Sequence, residues 1–193
     1  MGRLSFIGHS LGGLIIRAAL PHLERYKDKM HGYMSLCSPH LGFMTKSSKL
    51  ITTGIWVLKS WKKSAVLNQL GMTDNTKKEN TALYQLSQQK GFEWFKHIIL
   101  VSSYQDQYSP YDSARIQIVS DAMKDVKKGN IWIQMVNNLM SKCNQDVLYR
   151  LDVHFNIEES NLDSMIGRTA HILFLDNEEL AKMIVNRYKM FFC

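Results

Sequence analysis

Short apolar runs of strand length alternate along this chain with longer stretches whose apolar residues recur every three or four positions. The runs fall at residues 4–8, 32–37, 97–103 and 147–155, and helical patterns begin at Leu11, Pro110 and Asp176. Strands alternating with helices in this way predict an α/β fold with a mostly parallel sheet. In the first helix Leu14, Ile15, Ala18 and Ala19 share one side, the spacing of a helix that buries one face. Pro21 ends or kinks that helix, because proline has no amide proton to donate. The last helix opens on Asp176 and Glu179, three apart as in a capping box. Another helix is predicted over residues 131–140, after a Gly129-Asn130 break.

Between residues 41 and 96 the alternation gives way to a helical insert. Ile51, Ile55 and Leu58 share a face there, and Trp56 and Trp61 are interleaved with lysines. An insert of this kind covers something, either the sheet or a binding pocket. No repeat or low-complexity tract interrupts the chain.

With 193 residues, 45% of them hydrophobic, the chain has enough apolar material for one domain with a buried core and too little for two of ordinary size. Lys and Arg outnumber Asp and Glu by 24 to 17. That excess is spread out. Lys59 with Lys62 and Lys63, Lys77 with Lys78, and Lys124 with Lys127 and Lys128 read as solvated faces, not as a converging phosphate site, so no nucleic-acid partner is expected. Cys37, Cys143 and Cys193 show no metal-ligand spacing and read as buried, inert thiols of a reducing, cytoplasmic setting. There is no secretory leader pattern and no apolar stretch long enough to span a bilayer, so no transmembrane segment is expected.

The chemistry is concentrated in Gly8-His9-Ser10-Leu11-Gly12. A serine on a sharp turn between strand and helix exposes its hydroxyl, and side chains at the flanking Gly8 and Gly12 would collide with neighbouring strand and helix. The strand before and the helix after supply the context this motif requires. His9 lies in the turn itself, with its side chain expected to point away from Ser10. A serine hydroxyl is a poor nucleophile alone, so an acid and a base must follow, in the order Ser, Asp or Glu, His. Asp106, just past the run 97–103, stands where ligands collect in open parallel sheets. Asp112 competes, but a carboxylate in the first turn of a helix is ordinarily explained by the helix dipole. For the base, His171 fits a loop between the final strand and the final helix, and His154 competes from within the strand pattern.

The segments FIGHSLGG (6–13), SLCSPHLG (35–42), VSSYQDQYSPYDSARI (101–116) and GRTAHI (167–172) together resemble a serine esterase, lipase-like domain of the α/β-hydrolase fold. They are most similar to the C-terminal domain of the animal proteins called family with sequence similarity 135. The resemblance extends over essentially the whole chain, 1–193. It implies Ser10 as nucleophile, Asp106 as orienting acid, His171 as general base and the Leu11 backbone N–H as an oxyanion donor. It also implies that Pro39, His40 and Gly42 lie near the site. No metal or organic cofactor is needed. The implied substrate is an ester or lipid, with the insert 41–96 as a lid capable of peripheral membrane contact, and with a non-catalytic binding module as the alternative.

In such folds the serine turn follows the fifth of about eight strands. Here it begins at residue 8, so the expectation is the C-terminal half of the fold, strands equivalent to 5–8, without the N-terminal half of the domain. One oxyanion donor belongs to that half, and loss of one donor costs roughly 10² to 10³ in rate.

Overall fold

The computed structural model describes residues 2–43, 65–118, 126–157 and 163–192. Four strands form one sheet: β1 (Leu4–His9), β2 (Met30–Leu36), β3 (His97–Ser102) and β4 (Leu148–Asp152). They lie in the order β1-β2-β3-β4, and every neighbouring pair is parallel. Helix α1 (Leu11–Ala19) follows β1 and continues as a 3-10 helix (Leu20–Lys29) leading into β2. After β2 come α2 (Ala65–Leu70) and α3 (Ala82–Gln88), and after β3 come α4 (Tyr111–Arg115) and α5 (Val126–Met140). Beyond β4 lie α6 (Asp163–Asp176), α7 (Glu178–Arg187) and α8 (Lys189–Phe192).

The α/β class and the parallel sheet read from the sequence are therefore present. Strand burial explains why they were legible: β2 is buried at every position and β3 at all but the first, so both read as continuous apolar runs. β1 is an edge strand that buries only Gly8 fully and leaves Ile7 half exposed. Along β3 the side chains alternate between two cores. Ile98 and Leu100 join Leu14, Tyr33, Phe92 and Trp132 on one face, and Ile99 and Val101 join Met34, Phe174, Ile184 and Phe191 on the other. The result is three layers, with helices over both faces.

Several boundaries differ from the sequence reading. β4 stops at Asp152, leaving His154 exposed beyond it. Helix α5 begins at Val126 and runs through Gly129-Asn130 without a break, because buried Ile131, Trp132, Met135, Val136 and Leu139 form a stripe that carries the pair along. The final capping box is replaced by a single cap, Asn177, whose Oδ1 accepts the Leu180 N–H at 2.7 Å. Asp176 cannot serve because it is the last residue of α6. Pro21 falls at the start of the 3-10 helix, as its missing donor demands. Of the insert 41–96, Ile51, Ile55, Trp56, Leu58 and Trp61 lie outside the described residues, as does Cys193.

Gly32 on β2 is a packing site: a Cβ there would overlap the Phe191 ring, which is 1% exposed. Truncating a buried phenylalanine costs about 3–5 kcal/mol. Phe191→Ala is therefore expected to lower the stability measured by urea unfolding by that amount. Phe192→Ala, at a ring that is 47% exposed, should cost less than about 1 kcal/mol.

Candidate active site

The parallel register brings four strand ends level. His9 pairs with Leu36, Leu36 with Val101, and Val101 with Leu151. One step further, the Ser10 N–H donates to the Leu36 carbonyl at 2.9 Å and the Cys37 N–H to the Val101 carbonyl at 2.8 Å. Ser10 and Cys37 thus lie side by side at the carboxyl ends of β1 and β2. Both have left-handed φ, 53° and 42°, a conformation that side chains adopt only where the surroundings impose it. At Ser10, φ 53 with ψ −122 turns the end of β1 into the first turn of α1 within one residue.

The glycines divide this work differently from the expectation. A Cβ on Gly8 would lie 2.5 Å from the Gly13 nitrogen and 2.6 Å from the Gly12 carbonyl carbon, whereas one on Gly12 would meet nothing within 4 Å. The second crowded position is Gly13, where a Cβ would overlap Ser38 and sit 2.9 Å from the Tyr33 hydroxyl. Tyr33 fixes this turn by donating its O–H to the Gly13 carbonyl at 3.0 Å.

Asp106 lies in the loop after β3 and is 4% exposed. Its Oδ1 accepts the backbone N–H groups of Tyr108 at 2.7 Å and Ser109 at 3.0 Å. Its Oδ2 is 2.7 Å from Nδ1 of His171. A carboxylate only accepts, so His171 carries its proton on Nδ1 and leaves a lone pair on Nε2. The Tyr108 ring lies 5.4 Å from the imidazole, centroid to centroid. No hydrogen bond joins the Ser10 hydroxyl to the His171 ring among the described residues.

His171 does not come from a loop. It lies inside α6, where Gly167, Ala170 and Phe174 are buried and His171 is half-buried. Gly167, which reads as a loop glycine in the sequence, is instead where α6 presses on Gln107: a Cβ there would overlap that side chain. The competitors are elsewhere. Asp112 accepts from the Gln117 amide in α4, and His154 is exposed.

His9 turns toward α6. Its Nε2–H donates to the His171 carbonyl at 2.9 Å, and the two rings lie 4.7 Å apart. Burial, the largest cause, holds the His9 pKa below its ordinary value. Cys37 is the residue whose place the sequence did not reveal. Its Sγ is 3.4 Å from Nδ1 of His171, so this thiol, buried in the core that α6 shares, also borders the site. Burial first and the Asp106 charge second push its pKa up, which keeps it protonated. The available signal was its position one residue past a buried strand.

The loop 38–42 packs behind the elbow. His40 is fully buried, with Nε2 3.0 Å from the Ser35 hydroxyl and Nδ1 3.3 Å from Arg17. Arg17 also donates to the carbonyls of His40 and Leu86 at 3.2 Å each. Burial lowers the Arg17 pKa to about 10 and, with the Arg17 charge second, brings that of His40 well down. With both ring nitrogens engaged, His40 is a structural residue. The Pro39 carbonyl accepts the Gly42 N–H at 3.0 Å, and Gly42, at φ 69, packs against Leu70 and Leu83. Neither residue approaches Asp106 or His171 through a hydrogen bond among the described residues.

Two predictions follow from this geometry. Gly8→Ala forces a backbone shift and is expected to cost about 1–3 kcal/mol in urea unfolding, while Gly12→Ala is neutral or stabilising by up to about 1 kcal/mol. The depressed His40 pKa means that below 6.5, the ordinary value, the unfolded chain takes up a proton that the folded one refuses. Stability is then complete above 6.5 and falls as pH drops, by up to about 1.4 kcal/mol per pH unit from this group. His40→Gln should remove that share of the slope in unfolding measured across the same range.

No solved structure matches this chain. The model of a family described as putative serine esterase matches residues 1–121, a span that includes Ser10, Cys37 and Asp106 and ends before His171. That match covers more than half of the sequence, and the chain belongs to the putative serine esterase family.

Proposed function

We propose that this protein is a carboxylic ester hydrolase in which Ser10, His171 and Asp106 act as nucleophile, general base and orienting acid. One observation carries the reading. The Asp106–His171 hydrogen bond of 2.7 Å lies at the end of the sheet where Ser10 is held at φ 53, with the Nε2 lone pair left for the serine proton. Ser10 Oγ attacks the ester carbonyl and Nε2 takes its proton. The oxyanion that forms is met by the Leu11 N–H at the start of α1. The proton passes to the departing alcohol, and water then releases the acid by the same steps. Tightening of the serine–imidazole contact accompanies substrate binding, as is common for sites without ligand.

The acyl group is apolar on this reading. Leu11 and Ile15 share a face of α1 directly after the nucleophile, and Ile172 and Leu175 follow the base on α6; all four are exposed. A fringe of this kind suits fatty acyl chains, at about 0.8 kcal/mol per buried methylene, which supports a lipid ester as the substrate. A second reading, a fold that binds without catalysis, is favoured by the absence of a Ser10–His171 hydrogen bond among the described residues.

A fluorophosphonate probe separates the two, since it labels an activated serine whatever the substrate. The esterase reading expects labelling that Ser10→Ala abolishes and that Asp106→Asn slows by about 10⁴-fold. A folded wild-type protein that stays unlabelled supports the binding module instead. If the fringe holds acyl chains, Ile172→Ser with Leu175→Ser lowers kcat/KM for a long-chain ester by about tenfold or more and leaves a short-chain ester little changed.

A further inference from the structure

Cys37 has no part in the mechanism above, yet its thiol is among the groups nearest the imidazole. His9, Cys37 and His171 each offer one donor atom, and these three atoms lie within 4.8 Å of one another. They come from three elements, the end of β1, the residue past β2 and the middle of α6, so no sequence spacing announces them. Ligands on a tetrahedral zinc ion stand about 3.5 Å apart, given metal–ligand distances of about 2.0–2.3 Å. The Cys37 Sγ lies 3.4 Å from Nδ1 of His171, which sets the thiol beside the imidazole ring.

The surroundings of both rings suit a metal. A ligating histidine characteristically donates its other N–H to a carboxylate or a backbone carbonyl. His171 donates to Asp106 in this way, and His9 donates to the His171 carbonyl. These bonds leave lone pairs on Nε2 of His171 and Nδ1 of His9. The left-handed φ of 42° at Cys37 is a second, independent sign, because a strained residue that directs a side chain into a site marks a functional position. Two imidazoles and a thiolate form the donor set of zinc.

We propose that His9, Cys37 and His171 form a zinc site that switches off the serine chemistry when filled. Binding breaks the Cys37 S–H bond, sends that proton to solvent and forms a zinc–sulfur bond, while both imidazoles bind neutral. With the thiolate and the neighbouring Asp106 carboxylate, the divalent charge is balanced inside the site. His9 and His171 are partly exposed and provide the way in. With the metal on Nε2 of His171, the lone pair that would take the serine proton is occupied and the ring is lost to catalysis. The inhibition rests on the esterase reading, and the binding does not.

The test uses Co²⁺ as a spectroscopic stand-in and Zn²⁺ as the inhibitor. The wild-type protein is expected to bind one Co²⁺ with a thiolate-to-cobalt charge-transfer band that Cys37→Ser abolishes. His9→Asn keeps the thiol and is expected to keep the band, with affinity lowered by at least roughly 10- to 100-fold, the cost of losing even a residue that only orients a ligand. Fluorophosphonate labelling of the wild type, compared in zinc and in excess chelator, should fall at least tenfold with zinc, and the ratio should approach one in Cys37→Ser. A band that survives Cys37→Ser, or no band in the folded wild type, overturns the proposal. Labelling without any zinc effect also overturns it and leaves the esterase standing. A band with no labelling in zinc or in chelator overturns the esterase reading alone.

Discussion

The backbone reversal at Ser10 is the constraint on which the rest of the structure depends. A parallel strand must become a helix lying back on the sheet, and here one residue makes the change, at φ 53 and ψ −122. Holding a residue with a side chain in that region costs about 1–3 kcal/mol. The fold offsets this cost with contacts a looser turn could not make: the Ser10 N–H to Leu36, the Tyr33 hydroxyl to Gly13, and the close fit of Gly8 against the first turn of α1. One turn further along α1, Arg17 reaches across to His40 and Leu86. The turn therefore also fixes the loop after β2 and the position of α3.

Two histidines show how hydrogen bonds decide chemical character. His40 and His171 each lie a few residues from a glycine in a short polar motif, and nothing in their flanking residues separates them. In the fold, Nδ1 of His40 accepts from a guanidinium and Nε2 donates to a hydroxyl, so the ring has no lone pair left and no exposure. Nδ1 of His171 gives its proton to a carboxylate, and its side chain stays 13% exposed. The first is a strut and the second is able to accept a proton.

The sheet was legible because β2 and β3 are buried on both faces and so appear as uninterrupted apolar runs. The elbow was legible because its glycines and its strand-to-helix context occur together in adjacent residues. What escaped has physical reasons. The stripe that makes α6 a helix is Gly167, Ala170, His171 and Phe174, two small residues and a histidine among four, which scarcely registers as an apolar face. Gly12 looks equivalent to Gly8 in the motif, yet the second crowded glycine is Gly13, pressed by Ser38 and Tyr33 from β2 and the loop beyond it. That the buried Cys37 thiol borders His171 was not legible, because the two are 134 residues apart in the chain. Contacts made across a parallel sheet leave no local pattern.

Placing His171 on a helix limits how the site can move. If His171 were on a loop, the imidazole could reach Ser10 by backbone rearrangement. On α6 the backbone is anchored by Ala170 and Phe174, both within the core on that face of the sheet. The ring is restrained further by Asp106, whose other oxygen is held by two backbone amides. The freedom left at the site is rotation of the Ser10 side chain among its staggered positions and small rotations of the imidazole about the Asp106 bond. On the proposed esterase reading, the contact between hydroxyl and imidazole would be closed by side-chain torsions on this frame. The same rigidity holds His9 and Cys37 close to the ring.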